Sequence, residues 1–446
     1  MPKRVYIETY GCQMNVADTE LMLGVLGRDG YEQTAAPDEA DVLLVNTCAV
    51  RDNAEQRVLG RVGELQRHLG PGRVLGVVGC MAQRLGPRLL ERAAVDLVVG
   101  PDAYRNLPEL LGLAQGGERV ADTEFRNWEH YEDVPPVREA SPTAFVTVQR
   151  GCDYKCTFCI VPYTRGPERS RKLSDVVAEV RQLVERGTSE VTLLGQTVNS
   201  YDDGTSDFAD LLRAVGAVDG VRRLRFTSPY PTEFTERVIE AMATTPAVCE
   251  HVHLPVQSGS NAVLRRMLRR YTREAYLEVV ARLRAAIPGI TLSTDVIVGF
   301  PGETEPQFEE TLDLVREADL DDAYMFRYSV REGTPAVKLA ARDAVPDDVA
   351  APRLARLIEA VRNQARRKNL ARVGEMHEVL VERPARRGDL MLARTRTNSL
   401  VLVDLPASAI GSYHTVRLTG TTGSTFTGVL AAPSGAPSTS HLAVLG

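Results

Sequence analysis

Apolar and polar positions alternate in regular blocks over the first third of the chain. Three apolar runs, KRVYIETYGC, ADVLLVNTC and GRVLGVVGC, each predict a β-strand that ends at a cysteine, namely Cys12, Cys48 and Cys80. Two segments with helical spacing, NVADTELMLGVLGRDG and RDNAEQRVLGRVGELQRHLG, lie between these strands. Alternating strands and helices of this kind predict an open parallel α/β sheet.

The ends of these strands carry the first chemical signal. The carboxyl ends of parallel strands share one edge of a sheet, so Cys12, Cys48 and Cys80 should converge although they are far apart in sequence. Three independently buried thiols are the alternative, since free cysteine is among the most buried residue types. Three cysteines at the same structural position, from only seven in the chain, favour a shared metal site.

A second block of alternation starts at the strand predicted for residues 144–149. Five further strand-like runs follow it: EVTLLG, RLRFTS, HVHLPV, TLSTDVIVGF and DAYMFRYS. Helical segments such as LSDVVAEVRQLVERG and TREAYLEVVARLRAAIPG separate them, which predicts a (βα)6 partial TIM barrel. Polar residues gather where these strands end: Gln196, Asn199, Ser228, Gln257, Ser258 and Glu303.

The last part of the chain returns to short strands. After the basic helix EAVRNQARRKNLARVG come MHEVLVER, LMLARTRT, SLVLVDL, YHTVRLTG and TFTGVL, which predict a small five-stranded β-barrel of the oligonucleotide-binding kind. The predicted fold class is therefore α/β, with the open sheet at 1–117, the partial barrel at 138–369 and the small barrel at 372–435. The acidic segment 118–137 contains paired prolines and is predicted to be a plain linker.

Composition and charge limit the expected cellular location and the expected binding partners of the protein. No apolar run approaches the ~18 residues of a membrane span, and the first residues lack the pattern of a signal peptide. The seven cysteines are therefore expected to be cytosolic thiols in a cytoplasmic protein without a membrane partner. The net charge of −6 argues against general nucleic-acid coating. Residues 351–396 nevertheless hold twelve Arg or Lys against five Asp or Glu, a locally basic region.

The stretch RGCDYKCTFCIVPY supplies three more cysteines, Cys152, Cys156 and Cys159. A closed structural zinc site needs four donors, and no further CxxC or HxxxH pair remains nearby to complete one. A cubic 4Fe-4S cluster has four irons, so three cysteines leave one iron open for a substrate or cofactor. The count of three therefore favours a cluster that binds something over a cluster that only carries electrons.

For two histidines, one cysteine and one arginine-rich segment, an ordinary structural role stands as an alternative to a functional role. His251 and His253 share a strand face, where ordinary hydrogen bonds are favoured over metal ligation. Cys249 has no cysteine near it and is predicted to be a buried spectator thiol. The segment RRMLRRYTR predicts four arginines along one side of a helix, where RNA contact and simple solvation are equally supported: Arg265, Arg266, Arg269 and Arg270.

These motifs resemble those of the radical SAM methylthiotransferase family over nearly the whole chain. CxxxCxxC after the first strand of a (βα)6 array is the superfamily's signature for S-adenosylmethionine (SAM). TYGCQMN, VNTCAVR and VGCMAQR are similar to the three cysteine boxes of the family's N-terminal domain. LLGQTVNSY, HLPVQSGS and DVIVGFPGET are similar to its radical SAM core.

The resemblance implies two 4Fe-4S clusters, with SAM as methyl donor and radical source. One cluster would chelate and reductively cleave SAM, and its ligands would be Cys152, Cys156 and Cys159. The other, an auxiliary cluster that holds the sulfur to be transferred, would be bound by Cys12, Cys48 and Cys80. No catalytic side chain beyond these cysteines is indicated.

YGCQMN and CIVPYTRG are similar to the tRNA-modifying branch of the family. This implies that the substrate is N6-isopentenyladenosine at position 37, beside the anticodon, and that the product is its 2-methylthio derivative. The implied partners are the tRNA anticodon loop and an electron donor such as flavodoxin or ferredoxin, and a monomer is expected. The alternatives are the same chemistry on threonylcarbamoyladenosine or on a ribosomal protein. A non-catalytic iron–sulfur electron carrier or RNA-binding protein is an alternative from another class.

The same resemblance places a TRAM domain, a small RNA-binding barrel, at the C-terminal strands. Its arginines would contact phosphates and make binding depend on salt, whereas a solvated basic surface is the alternative. The arginines concerned are Arg383, Arg386, Arg387, Arg394 and Arg396. In the core, Tyr230 and Thr232 stand where relatives often have histidine and lysine, and Val330 and Glu332 where relatives usually have proline.

Overall fold

The computed structural model of the protein describes residues 2–49, 52–386 and 388–431. The chain divides into two compact units, Met1–Val361 and Arg362–Gly446. The first unit contains the six-stranded sheet and the central array of strands and helices, and the second contains a closed barrel.

The N-terminal sheet is open, parallel throughout and ordered β2-β1-β3-β4-β5-β6. Its strands are β1 Lys3–Tyr10, β2 Tyr31–Gln33, β3 Val42–Thr47, β4 Val74–Gly79, β5 Leu97–Val99 and β6 Val120–Asp122. Its helices are α1 Gln13–Arg28, α2 Asp52–Leu65, α3 Cys80–Leu85, α4 Arg88–Arg92 and α5 Leu107–Gln115. The predicted open parallel sheet is confirmed.

Burial explains the pattern of this sheet. Strands β3 and β4 are buried at every position, which is why they read as continuous apolar runs rather than as alternating ones. Two apolar clusters cover the sheet, one including Leu26 of α1 and the other including Val62 of α2. Strands β2, β5 and β6 have three residues each, and a periodic pattern cannot be recognised in so short a segment.

The segment predicted to be a plain linker is instead largely packed against the sheet. It supplies β6, which pairs with β5, and it buries Tyr131 and Val134 in the N-terminal apolar core. Glu129, also buried, accepts two hydrogen bonds from Arg105. A tether would leave these side chains in water, so the acidic composition of the segment was a poor guide to its burial.

The central array contains six parallel strands in two groups of three, ordered β11-β10-β7 and β12-β13-β14. An isolated parallel bridge between Leu224 and Val248 lies where the two groups follow one another in the chain. The strands are β7 Thr143–Thr147, β10 Glu190–Leu194, β11 Arg223–Phe226, β12 His251–His253, β13 Thr291–Val298 and β14 Asp322–Arg327, and β8 Gln149–Arg150 pairs antiparallel with β9 Arg169–Ser170. The predicted six-stranded partial barrel is confirmed.

Helices follow or precede each barrel strand and cover the array. They are α6 Val161–Arg165, α7 Leu173–Glu185, α8 Phe208–Gly216, α9 Glu236–Thr244, α10 Asn261–Arg266, α11 Arg273–Ala286, α12 Glu305–Glu317, α13 Ala336–Asp343 and α14 Asp347–Ala371. Asp207, Thr235 and Thr272 accept hydrogen bonds from backbone N–H groups in the first turns of α8, α9 and α11, which is the usual signal for a helix start. One large apolar cluster joins most of these helices to the strands, and a smaller one contains Phe300 as well as Ala336 of α13.

The second unit is a closed five-stranded barrel, as predicted, with strands ordered β15-β16-β17-β19-β18. The strands are β15 Met376–Pro384, β16 Met391–Thr395, β17 Leu400–Val403, β18 Tyr413–Thr421 and β19 Thr425–Leu430. Its small core includes Val381, Val401 and Phe426. Within the described residues, no helix is both long and apolar enough to span a membrane.

The basic side chains predicted for this barrel differ in their exposure. Arg383 and Arg386 are exposed, and Arg387 lies outside the described residues. Arg394 is half-buried and donates to both carboxylate oxygens of Glu382, which compensates its charge. Arg383 and Arg386 are therefore better placed than Arg394 to meet a phosphate.

Candidate functional site

Three neighbouring strands of the N-terminal sheet bring Cys12, Cys48 and Cys80 to one edge. Cys12 follows β1 and caps α1, Cys48 follows β3, and Cys80 begins α3 directly after β4. The Cys12 and Cys48 side chains are hydrogen-bonded to each other, and the charge of Cys12 acts on Cys80. The predicted convergence of these three residues is confirmed.

Two buried asparagines hold the backbone around this edge. Asn15 donates from Nδ2 to Oδ1 of Asn46 at 3.1 Å, and Asn46 donates to the Asn15 carbonyl at 2.7 Å. The sulfur of Cys12 lies 3.4 Å from Oδ1 of Asn15. Gly79, directly before Cys80, has a φ of +94°, and a Cβ there would lie 2.5 Å from Asn46 Oδ1. Only glycine allows the chain to pass this close to the asparagine.

The electrostatics differ between these thiols. A hydrogen bond with Cys48 lowers the pKa of Cys12 to about 6, and the positive charge of Arg165 acts in the same direction. Burial raises the pKa of Cys80, while Arg165 opposes that increase. Arg165 donates from Nε to the Cys80 sulfur at 3.0 Å. A thiolate is the form of cysteine that binds metal, so a cation at this position favours ligation.

The second set of cysteines lies on the loop between β8 and α6. The Cys159 N–H donates to the Cys156 carbonyl at 3.0 Å, so these two residues share a tight turn. Thr157 lies between them, and its N–H and hydroxyl donate to the carbonyls of Met267 and Arg266. Gly151 has a φ of +79°, and a Cβ there would lie 1.8 Å from the Pro167 carbonyl oxygen. The loop is therefore fixed at its start and at its middle.

Two side chains contact the sulfurs of this loop. The Thr197 hydroxyl lies 3.2 Å from the Cys152 sulfur, and Arg269 donates from Nη1 to the Cys156 sulfur at 3.3 Å. Burial raises the pKa of Cys152, and it raises that of Cys159 to about 12. These thiols therefore need a metal or a cation to become thiolates near neutral pH.

Arg269 belongs to a stack of aromatic rings beside the cysteine loop. Its guanidinium carbon lies 4.4 Å from the centre of the Tyr230 ring and 5.0 Å from that of Tyr271. Tyr230 in turn stacks on Tyr154 with ring centres 3.8 Å apart. Tyr230, one of the departures from the family pattern, is thus a structural neighbour of the cysteine loop.

The segment RRMLRRYTR does not form the predicted helix with four aligned arginines. Helix α10 ends at Arg266, and Leu268 has a φ of +54°, which turns the chain. Arg265 and Arg270 are exposed, whereas Arg266 donates to Gln307 and Arg269 points to Cys156. A turn separates the two pairs, so the regular spacing of the arginines did not reflect one helix face.

The polar residues predicted at the carboxyl ends of the barrel strands differ in their hydrogen bonding. Asn199 donates to and accepts from the backbone of Tyr230, so it fixes a loop. Gln196 has a buried Oε1 without a hydrogen-bond partner among the described residues. Ser228 and Gln257 have φ angles of +59° and +71°, which are costly for residues with a side chain and cluster at functional sites.

The GFPGE turn after β13 is also at this edge. Glu303 accepts the N–H of Gly299 at 2.7 Å and pairs with Arg353 at 3.1 Å. It therefore closes the turn, in agreement with the geometry of a strand-end loop.

The two histidines of β12 form hydrogen bonds with residues of the neighbouring strand β13. His253 lies 3.0 Å from the Ser293 hydroxyl and 3.3 Å from the Asp295 carboxylate, and His251 lies 3.3 Å from the same hydroxyl. Cys249 is buried, as predicted.

The two cysteine loops meet inside the first compact unit. Ile160, directly after Cys159, packs with Ala49 and Cys80 in one buried cluster. Arg331, from the segment after β14, donates to the Ala49 carbonyl at 3.0 Å. The N-terminal sheet and the barrel therefore present their cysteines to a common region.

The donor chemistry of both cysteine sets suits a 4Fe-4S cluster, because cysteine thiols are the usual ligands of such clusters. Among the described residues, no three Cys, His, Asp or Glu side chains are placed to hold one metal ion. Each set also has one sulfur that accepts from an arginine, and such bonds support cluster ligands. Within the part of the chain that the structure describes, Gln196 Oε1 and Arg165 Nη1 are buried polar atoms without hydrogen-bond partners, as expected where a bound group completes the site.

Sequence patterns alone do not indicate that Arg165, Arg269 and Thr197 contact the cysteines. Arg269 fits the pattern of a charged helix face, and Arg165 is one residue of the CIVPYTRG motif. Motif membership was the one available signal for Arg165, because a contact over 85 positions leaves no periodic trace.

Two family models and several curated proteins are similar to this chain. Residues 146–315 match the radical SAM superfamily, and residues 4–100 match the uncharacterized protein family UPF0004. A tRNA-2-methylthio-N(6)-dimethylallyladenosine synthase of Geobacillus thermodenitrificans is 45% identical over 440 residues, covering 96% of this chain and 84% of the relative. One with the same name from Chloroherpeton thalassium is 44% identical over 431 residues, with 95% of each chain covered.

Solved structures are similar at the level of the fold. The radical S-adenosylmethionine methyltransferase TsrM from Kitasatospora setae superposes with a TM-score of 0.59 at 16% identity, covering 78% of this chain and 80% of that one. The cobalamin-dependent S-adenosylmethionine radical enzyme OxsB gives a TM-score of 0.52 at 13% identity over 76% of this chain and 55% of that one.

Proposed function

Because the chain belongs to the family of tRNA-2-methylthio-N(6)-dimethylallyladenosine synthases, we propose that its six motif cysteines hold two 4Fe-4S clusters that serve methylthio transfer to tRNA. The protein is a radical SAM sulfur transferase, and SAM with one 4Fe-4S cluster follows from that class. The second cluster and the assignment of individual ligands are part of the proposal. The juxtaposition of the two cysteine loops around Ile160 is the observation that carries it.

Cys152, Cys156 and Cys159 would hold the cluster that, when bound with SAM, supplies reductive cleavage of the cofactor. The residues around them keep this loop in one shape. Thr157 anchors its middle to the segment after α10, and Arg269 donates to the Cys156 sulfur. Thr197 contacts the third ligand, Cys152, from the end of β10.

The strand ends next to this loop would receive SAM. Gln196 offers a buried acceptor, and the GFPGE turn is fixed by Glu303. Ligands of parallel α/β arrays bind at this edge. The positive φ angles of Ser228 and Gln257 at the same edge agree with a site whose backbone is held in costly conformations.

Cys12, Cys48 and Cys80 would hold the auxiliary cluster. Their sulfurs lie at adjacent strand ends, where the lowered pKa of Cys12 and the guanidinium beside Cys80 favour thiolates. The chemistry expected of that cluster is to carry the sulfur that is inserted. The side chains that surround it, Asn15 and Asn46, position the loop rather than react.

The substrate that follows from the family name is a tRNA adenosine with an N6-dimethylallyl (isopentenyl) group. We assign it to position 37 in the anticodon loop, and the adenine must leave its stack to reach the barrel mouth. The C-terminal barrel would contribute phosphate contacts from Arg383 and Arg386. An electron donor such as flavodoxin or ferredoxin, a cytoplasmic location and a monomeric state complete the proposal.

Nucleoside mass spectrometry on total tRNA, from cells with and without the protein, tests this function. Loss of 2-methylthio-N6-isopentenyladenosine together with accumulation of N6-isopentenyladenosine is the expected result. An unchanged methylthio nucleoside would contradict the substrate, and the threonylcarbamoyl nucleoside and ribosomal proteins would then be measured in the same cells.

A further inference from the structure

Arg165 connects the two halves of the first compact unit through a buried ionic group. It lies at the end of α6, six positions after Cys159, so the barrel carries it. Its Nη2 lies 2.7 Å from the carboxylate of Asp18, which is on α1 of the N-terminal sheet. The two side chains are 3% and 0% exposed. Water cannot compensate either charge at such burial.

The charges of this group do not cancel within it. Asp18 also pairs with Arg150 at 3.0 Å, so one carboxylate faces two guanidinium groups. The charges of Arg165 and Arg150 hold the pKa of Asp18 below its usual value in spite of its burial. One net positive charge therefore remains in a region from which water is excluded. Buried charges of this kind require a further partner of opposite sign.

The remaining positive charge faces Cys80. Arg165 donates from Nε to the Cys80 sulfur at 3.0 Å, and the sulfur is itself buried. A thiolate at this position makes the group of Asp18, Arg150, Arg165 and Cys80 neutral. Nη1 of Arg165 is buried and has no hydrogen-bond partner among the described residues. A sulfur-rich anionic group bound to Cys80 is the class of ligand that such a donor would accept.

We propose that Arg165 is a positioning residue of the auxiliary cluster, which the SAM-cluster loop supplies across the boundary between sheet and barrel. It holds the Cys80 thiolate, and it raises the reduction potential of the cluster by adding positive charge and an N–H···S bond. This inference rests on the proposed function, since it requires a cluster at Cys12, Cys48 and Cys80.

Arg138 provides a matched control. It is also a buried arginine that joins the two halves, because it pairs with Glu20 of α1 and with Glu179 of α7. Both of its ionic partners are carboxylates, and its third hydrogen bond goes to the Phe145 carbonyl, so within the described part of the chain none of these bonds involves a cysteine. Arg138→Gln therefore removes a similar ionic link without touching a sulfur.

The test uses the full chain with Cys152, Cys156 and Cys159 all replaced by alanine, so that only the auxiliary cluster can form. Into this parent we introduce Arg165→Gln, Arg165→Lys or Arg138→Gln. After anaerobic reconstitution with iron and sulfide, iron content, release of iron to a chelator and the midpoint potential from an EPR-monitored titration are measured.

Arg165→Gln should shift the midpoint potential to a more negative value and make the iron roughly 10–100-fold easier to extract, as for other supports of metal ligands. Arg165→Lys should restore part of the potential, and Arg138→Gln should leave it at the parental value. If Arg165→Gln assembles no cluster while Arg138→Gln assembles one, the positioning role is also supported.

Two results would overturn the role of Arg165 and leave the proposed function intact. An unchanged potential and an unchanged extraction rate in Arg165→Gln would show that the arginine serves only the packing of the two halves. Equal losses in Arg165→Gln and Arg138→Gln would show the same. Absence of any cluster in the parent would instead overturn the proposed auxiliary site, and the role of Arg165 with it.

Discussion

Arg269 donates a hydrogen bond to the sulfur of Cys156, although 113 positions separate the two residues in the chain. The guanidinium is held in place by the faces of Tyr230 and Tyr271 and by a 2.8 Å hydrogen bond from Nε to the Tyr271 hydroxyl. A planar, permanently charged group is thereby fixed against one ligand of the SAM cluster. The ammonium of lysine has no comparable plane, so it cannot stack on these rings and donate to both Tyr271 and Cys156 in the same way.

Replacing Arg269 by lysine should weaken the SAM cluster. Loss of a side chain that hydrogen-bonds a metal ligand typically lowers metal affinity or activity roughly 10–100-fold. We therefore expect the rate of SAM cleavage to 5′-deoxyadenosine to fall by about that factor. The midpoint potential of this cluster should become more negative. Arg265→Lys, at an exposed position of the same segment, is the control and should leave both values unchanged.

Replacing Cys48 by alanine should separate the two reactions of the enzyme. Iron should fall from about eight to about four atoms per chain, because only the three cysteines of the barrel loop remain intact. SAM cleavage should persist in part, and methylthio insertion into tRNA should be lost. Cys249→Ala removes another buried cysteine, outside both sets, and should retain full iron and activity. Normal tRNA modification by Cys48→Ala would contradict the auxiliary site.

Replacing Cys152 by alanine should abolish both SAM cleavage and the methylthio product. Two thiolates cannot retain the open-iron cluster that the reaction requires. Anaerobic quantification of 5′-deoxyadenosine and nucleoside analysis of the tRNA measure the two losses. Substantial cleavage by the variant would show that Cys152 is not a ligand.

Glu8 makes the stability of the N-terminal sheet depend on pH. Against the effect of burial, hydrogen bonds from Arg61, Tyr6 and Tyr10 lower its pKa from 4.5 to about 2. A carboxyl with a lowered folded-state pKa stabilises the fold above its unfolded pKa and loses that contribution as the pH falls toward the folded value. Glu8→Gln should therefore lower the melting temperature near neutral pH.

The difference in melting temperature between wild type and Glu8→Gln should be full above about pH 4.5 and should shrink steadily as the pH approaches 2. At neutral pH the loss should correspond to roughly 1.5–3 kcal/mol, the contribution of hydrogen bonds to a charged group. Glu64→Gln is the control, since Glu64 is more exposed and shares the same Arg61. A difference that stays constant over this range would contradict the role of Glu8.

Phe426 tests whether the C-terminal barrel serves RNA binding. The ring is buried in the barrel core, and Arg372 lies 5.3 Å from its centre. Truncation to alanine should cost about 3–5 kcal/mol and disrupt this small barrel. Affinity for tRNA and its dependence on salt should fall, while cleavage of SAM without tRNA should remain. Equal tRNA affinity in an unfolded barrel would exclude the barrel from recognition.

The architecture could be predicted because its signals are local. Strands such as β3 and β4 are continuous apolar runs that end at a cysteine, and the shared edge of a parallel sheet then requires Cys48 and Cys80 to meet. The five strands of the C-terminal barrel alternate strongly enough to be counted. Strand β6 was missed because its three residues lie in an acidic segment whose burial depends on pairing with β5.

The surroundings of the cysteines could not be predicted, because they depend on contacts between distant parts of the chain. Asp18 lies on α1, where a charged residue suggests a solvated helix face, yet it is fully buried by two arginines of the barrel. The turn at Leu268 likewise breaks a regular arginine spacing and sends Arg269 to Cys156. In both cases the partner, rather than the local pattern, decides where the side chain lies.

The ionic group of Asp18, Arg150 and Arg165 also limits how this protein can be recombined. Asp18 comes from the part that matches residues 4–100, whereas both arginines come from the part that matches 146–315. A chimera that joins these parts from two relatives inherits each side of the group from a different parent. Compatibility of such hybrids, and the pairs of sequence changes that evolution tolerates here, should therefore follow these three positions more closely than the overall identity of the parents.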